Sequence, residues 1–148
     1  MQISDILSPQ RIICNADSTS KKTTLEILSS LLASADSKLS QTDVFDCLLS
    51  RERLGSTGLG HGIALPHGRL KNGTKTLAAF IKLENGIDFD SIDHQPVDLL
   101  FALLVPENST EEHLQFLARL AEMFSNKELL NKLRTEASIK NIYKLLTQ

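Results

Sequence analysis

Neither sign of charge is in excess: 18 acidic residues stand against 16 lysines and arginines in a chain of 148, a formal net charge of −2. No run of like charges is longer than a few residues, so the long-range field of a nucleic-acid binder is missing, and DNA or RNA is not expected as a partner. Cysteine is scarce. Cys14 and Cys47 are far apart and form no CxxC pair, which removes a disulfide framework and a zinc knuckle together. Nowhere do about 18 apolar residues follow one another, so no membrane insertion is expected. The start, MQISDILSPQR, lacks the basic and continuous apolar stretches of a secretory leader. With so few thiols, a reduced cytoplasmic location is the expectation. The length suits one domain spanning residues 1–148.

Several nucleotide and hydrolase signatures are missing as well. Gly58, Gly60 and Gly62 give GxGxG rather than GxGxxG, and Pro66 soon afterwards forbids the helix that a dinucleotide site requires. There is no GK[ST] for a P-loop, no HExxH for a zinc protease and no GxSxG elbow.

What is present is organised as helices, then strands, then helices. Leu25, Leu28, Leu31 and Leu32 recur at helical spacing within TSKKTTLEILSSLLAS. SQTDVFDCLLSRER repeats the pattern, with Ser40 or Thr42 available to cap it. TLAAFIKL and PVDLLFALLVP are short, wholly apolar runs that predict strands buried on both faces. From Ser109, STEEHLQFLARLAEMF opens with a Ser-x-x-Glu capping box and predicts a helix from Thr110. NKELLNKLR and SIKNIYKLL follow as shorter amphipathic segments. A sheet covered by helices, an α/β sandwich, is the expected fold class.

Between Gly55 and Gly73 lie six of the chain's seven glycines, which marks a place where backbone comes close to something. His67 sits inside that segment. Pro66 biases Leu65 towards extended structure, so IALP should end a strand and present His67 at a defined angle, with Gly68 leaving the imidazole uncrowded. Taken alone, Pro-His-Gly reads as an ordinary turn histidine. His113 falls near the middle of a helical face shared with Leu114, Phe116, Leu117, Leu120 and Phe124, where a leucine is expected. It is either a core histidine bonded to a carbonyl or part of an inward-facing site. Arg51 lies on the flank of the stripe formed by Val44, Phe45, Cys47, Leu48 and Leu49, whereas Arg53 points away. Arg51 either snorkels or turns its guanidinium towards the glycine segment.

His61, His67, His94 and His113, with Asp88, Asp90 or Asp93, could supply zinc ligands, though at none of the usual spacings. A nucleophilic histidine beside an arginine and a second histidine suits a phosphoryl group better, because its spread charge rewards a forked donor.

The stretch RERLGSTGLGHGIALPHGR resembles the active-site segment of the enzyme IIA domains of the bacterial phosphotransferase system, mannitol/fructose class, most of all the nitrogen-regulatory branch. The resemblance runs through DFDSIDHQPVDLLFALLVP and EEHLQFLARLAEMF. It implies a mixed β-sheet flanked by helices and no cofactor or metal. It implies that His67 accepts a phosphoryl group on Nε2, that His113 and Arg51 complete the catalytic set, and that Gly55, Ser56, Thr57, Gly62, Pro66 and Gly68 form the supporting loop. The implied donor is a nitrogen-type, HPr-like phosphohistidine carrier protein, and the implied targets are regulated transport or sensor proteins. A sugar-specific IIA protein passing its phosphoryl group to a IIB component, and a non-catalytic interaction module, are the alternatives. His61 occupies a variable position in the pattern, and no role is carried onto it. The glycines are expected to let the backbones of donor and acceptor proteins approach one another.

Overall fold

The computed structural model describes residues 1–109 and 111–148. A mixed six-stranded sheet lies between helices on both faces. Its strands are β1 (Ile12–Ala16), β2 (Gly58–Gly60), β3 (Ile63–Ala64), β4 (His67–Leu70), β5 (Leu77–Ile87) and β6 (Val97–Pro106). The order is β1-β5-β6-β3-β2, and β4 also pairs with β6. β5 and β6 run antiparallel, while β1 is parallel to β5 and β3 and β4 are parallel to β6.

β5 and β6 are buried on both faces because side chains alternate between two cores. Phe80, Leu99, Phe101 and Leu103 enter the core beneath α1 (Ile3–Ile6), α4 (Glu111–Met123), α5 (Lys127–Thr135) and α6 (Ile139–Thr147). Ile81, Leu100, Ala102 and Leu104 enter the opposite core, beneath α2 (Lys21–Ala33) and α3 (Gln41–Arg53). Both of the latter helices start at serines whose hydroxyls accept main-chain N–H groups: Ser20 from Thr23 at 3.0 Å and Ser40 from Asp43 at 3.3 Å.

The helix-strand-helix expectation needs three corrections. β1 precedes all the longer helices and forms an edge of the sheet, a strand that IICNA does not advertise by any regular alternation. IALP interrupts a strand rather than ending one: β3 stops at Ala64, and pairing with β6 resumes at His67 opposite Leu103. Proline has no N–H to give the ladder, but the Pro66 carbonyl still accepts from Leu103 N at 2.9 Å. Leu114 is 58% exposed, although the helical wheel groups it with Phe116 and Leu120; it sits on the flank of α4 that overhangs a cleft instead of the sheet. The expected start of that helix at Thr110 lies outside the described residues.

Candidate phosphoryl-transfer site

α3 carries Arg51 in its last turn and packs against β4, which begins at His67. α4 brings His113 in its first turn to the same place. The three side chains line one cleft of roughly 800 Å³. The His67 and His113 rings lie 6.1 Å apart between centroids and are tilted by 53°. Arg51 is half-buried and donates from Nη1 to the Gly55 carbonyl at 2.9 Å, whereas Arg53 is exposed.

Half-buried His67 has Nδ1 2.8 Å from the Leu65 carbonyl oxygen. A carbonyl oxygen only accepts, so Nδ1 carries the proton and the neutral ring has its lone pair on Nε2. Burial lowers the His67 pKa from the ordinary 6.5; the Leu65 hydrogen bond opposes this, Arg51 lowers it further and Glu52 raises it. The ring is therefore neutral at pH 7. His113, 6% exposed, is also shifted down, chiefly by burial and then by His67 and Arg69. Its Nδ1 has no hydrogen-bond partner among the described residues.

The loop residues divide. Ser56 Oγ donates to the Phe89 carbonyl at 2.8 Å and accepts from Gly58 N at 3.1 Å. Thr57 is buried, and its carbonyl accepts from Leu65 N at 3.0 Å. Gly62 stands away from the cleft; its carbonyl accepts from Asp98 N and Leu99 N, tying the start of β3 to β6. Its φ of +81° is one that glycine adopts freely.

Three of the six clustered glycines have an internal cause. A β-carbon on Gly58 would collide with Ser91, one on Gly62 with the Arg134 guanidinium and Asp98, and one on Gly68 would lie 2.6 Å from Cys47 Sγ. Gly68 thus admits helix α3 against β4 rather than leaving the imidazole uncrowded, and these glycines serve approach of the chain to itself. Gly55 alone of the set that includes the supporting loop has open space where a side chain would be.

Among the described residues, His67 and His113 are the histidines of the cleft, and no group of three or more His, Cys, Asp or Glu side chains is placed to hold a metal ion. His61 is exposed, with its main-chain N–H bonded to Asp93 at the far end of the glycine segment.

The pattern of a 2.8 Å Nδ1 anchor, a free Nε2 and a flanking arginine coincides with a family match over residues 5–148, to the phosphoenolpyruvate-dependent sugar phosphotransferase system, EIIA 2. The chain belongs to that family. It is 43% identical to the nitrogen regulatory protein of Escherichia coli over 148 residues, covering 99% of this chain and 90% of that protein. The crystal structure of nitrogen regulatory protein IIA-Ntr from Neisseria meningitidis superposes with a TM-score of 0.93 at 44% identity, covering 98% and 99% of the two chains. The mannitol IIA of Escherichia coli shares the fold, with a TM-score of 0.80 at 23% identity over 95% and 98%. Membership makes this a phosphoryl-transfer protein, and its similarity over the full chain is to the nitrogen-regulatory IIA proteins. Among the described residues no helix is long and apolar enough to cross a membrane.

Two residues that shape the cleft escape a reading of the sequence. Arg69, exposed on β4, lines it and bears on His113. Glu52, 5% exposed, follows Arg51 on α3, lies outside the cleft lining and acts on His67 through its charge. Its signal was spacing: Val44, Leu48 and Glu52 follow at four-residue intervals, the buried face of α3.

Proposed function

We propose that this protein is a regulatory phosphoryl carrier of the nitrogen-related phosphotransferase branch, accepting a phosphoryl group on His67 Nε2 from a nitrogen-type, HPr-like phosphohistidine carrier protein. The observation that carries the reading is the Nδ1–H bond from His67 to the Leu65 carbonyl, which fixes the ring and leaves Nε2 as the nucleophile. Nε2 forms the new N–P bond with its lone pair as the donor's N–P bond breaks, and the breaking pair returns to the donor imidazole. Nδ1 keeps its proton, so the ring acquires positive character that the Leu65 carbonyl stabilises. Arg51 and His113 flank the point of transfer; the guanidinium neutralises charge on the phosphoryl oxygens, and the neutral His113 ring can donate a hydrogen bond to them, without a metal ion. The phosphorylated and free forms then act differently on regulated transport or sensor proteins.

The test is transfer from purified phosphorylated carriers of the nitrogen and sugar types. Faster transfer from the nitrogen-type carrier is expected, with none to His67→Ala. Equal rates from both carriers would return the protein to a sugar-specific role, and phosphorylation of His67→Ala would remove the mechanism.

A further inference from the structure

Arg51 and His67 belong to different elements, yet both are hung on one residue, Thr57. The Thr57 carbonyl accepts from Leu65 N at 3.0 Å, and the Leu65 carbonyl in turn accepts from His67 Nδ1 at 2.8 Å. Thr57 also lies two residues after Gly55, whose carbonyl holds the Arg51 guanidinium at 2.9 Å. Whatever fixes Thr57 therefore fixes the nucleophile and the cation relative to each other.

What fixes Thr57 is the buried Glu52 carboxylate. Oε1 accepts from Thr57 N at 2.9 Å and Oε2 from Thr57 Oγ1 at 2.6 Å. A carboxylate in the last turn of a helix faces the negative end of the dipole and is out of place there. The compensation is local: Lys21, the first residue of α2, places Nζ 2.9 Å from Glu52 Oε1, and lies 3.5 Å from Asp90 and 4.7 Å from the centre of the Phe89 ring. A buried ion pair contributes little to stability against an apolar alternative, and its best-attested use is to specify one arrangement. Here the arrangement specified is the turn that leads to both reacting groups.

We infer that Glu52, supported by Lys21, and Thr57 are positioning residues for phosphoryl transfer, acting through the Gly55 carbonyl on Arg51 and through Leu65 on His67. The inference rests on His67 being the acceptor. Neither side chain touches the phosphoryl group. Their effect is on geometry, where displacement by about 1 Å can slow a reaction on the order of 10²-fold.

Full-length protein carrying Glu52→Gln, Thr57→Val or Thr57→Ser tests this by two measurements. The first is transfer from phosphorylated carrier, separating the saturating rate from the carrier concentration at half-saturation. The second is nitrogen-15 chemical shifts of the free protein's imidazoles, which report the fraction of His67 protonated on Nδ1. Glu52→Gln and Thr57→Val should each lower the saturating rate by roughly 10-fold to 10²-fold with half-saturation unchanged, and should reduce the Nδ1–H fraction. Thr57→Ser, which keeps the hydroxyl, should retain both wild-type values. Glu52→Gln and Thr57→Val conserve volume, and if one fails to fold the other decides. Folded variants with wild-type rate and tautomer would overturn the inference, as would a loss confined to half-saturation. If the wild-type protein accepts no phosphoryl group from any carrier, the proposed function falls, while the imidazole shifts still decide whether Glu52 and Thr57 hold His67.

Discussion

The sulfur of Cys47 occupies the space where residue 68 would carry a β-carbon: one built on Gly68 lies 2.6 Å from Sγ and 3.1 Å from the Cys47 carbonyl oxygen. Sγ itself donates to the Arg69 carbonyl at 3.1 Å, and burial pushes its thiol up to about 11, so it is an unreactive neutral packing group. Gly68→Ala should therefore drive α3 away from β4, costing about 1–3 kcal/mol as overpacking does, and should slow transfer by separating Arg51 from His67. Adding Cys47→Ala should recover part of the stability, since it clears the sulfur but leaves the main-chain contact. Denaturant titration of the single and double variants measures this; equal stability of wild type and Gly68→Ala would contradict the geometry.

The two arginines of α3 should separate cleanly. Arg51→Ala removes a donor from the cleft and should slow transfer by about 10²-fold or more, the range for loss of one preorganised group. Arg53 is exposed, so Arg53→Ala should change stability by no more than about 0.5 kcal/mol and leave the saturating rate near wild type. Weaker docking of the carrier is compatible with that outcome. Equal losses of saturating rate would mean that the cleft is not where transfer occurs.

Acid should weaken both transfer and folding. His67 and His113 have folded-state pKa values below the ordinary 6.5, mainly through burial. Between each lowered value and the unfolded one, the unfolded chain binds more protons, so stability rises with pH in that window and is lost as pH falls below 6.5 towards the folded values. Denaturation midpoints should be level above about pH 7 and decline as pH falls below 6.5, with a shallower decline in His113→Asn. Acceptance of the phosphoryl group should likewise be level at neutral pH, because Nε2 is already unprotonated, and fall only on the acid side. A transfer rate that climbs steeply from pH 7 to 8 would show that His67 is protonated at neutrality.

The helices α2 and α3 and the strands β5 and β6 were legible because each declares itself locally, by leucine spacing, by a serine cap or by an unbroken apolar run. The histidines and Arg51 were legible as residues out of place, each by its own local argument, and the family resemblance added their roles. The causes of the glycines were not legible. Gly58, Gly62 and Gly68 answer to Ser91, Arg134 and Cys47, each remote in sequence, so no local rule distinguishes room for a partner from room for the chain itself. The resumption of pairing at His67 is equally non-local, because it requires β6. Glu52 is a half case: its four-residue spacing from Val44 and Leu48 signals burial, but its partners Lys21 and Thr57 come from other segments.

The interruption of the strand at Leu65 and Pro66 gives the cleft two parts with different freedoms. His67 is mounted on β4 in fixed register with β6, the strand whose burial runs through both cores, so the imidazole proposed as acceptor is held by the sheet itself. The apolar rim is another matter: Leu54 is 84% exposed and Leu114 58%, and neither is part of the mount. On the proposed function, exchange of rim side chains would change which partner docks, while the point of transfer would stay set by the sheet.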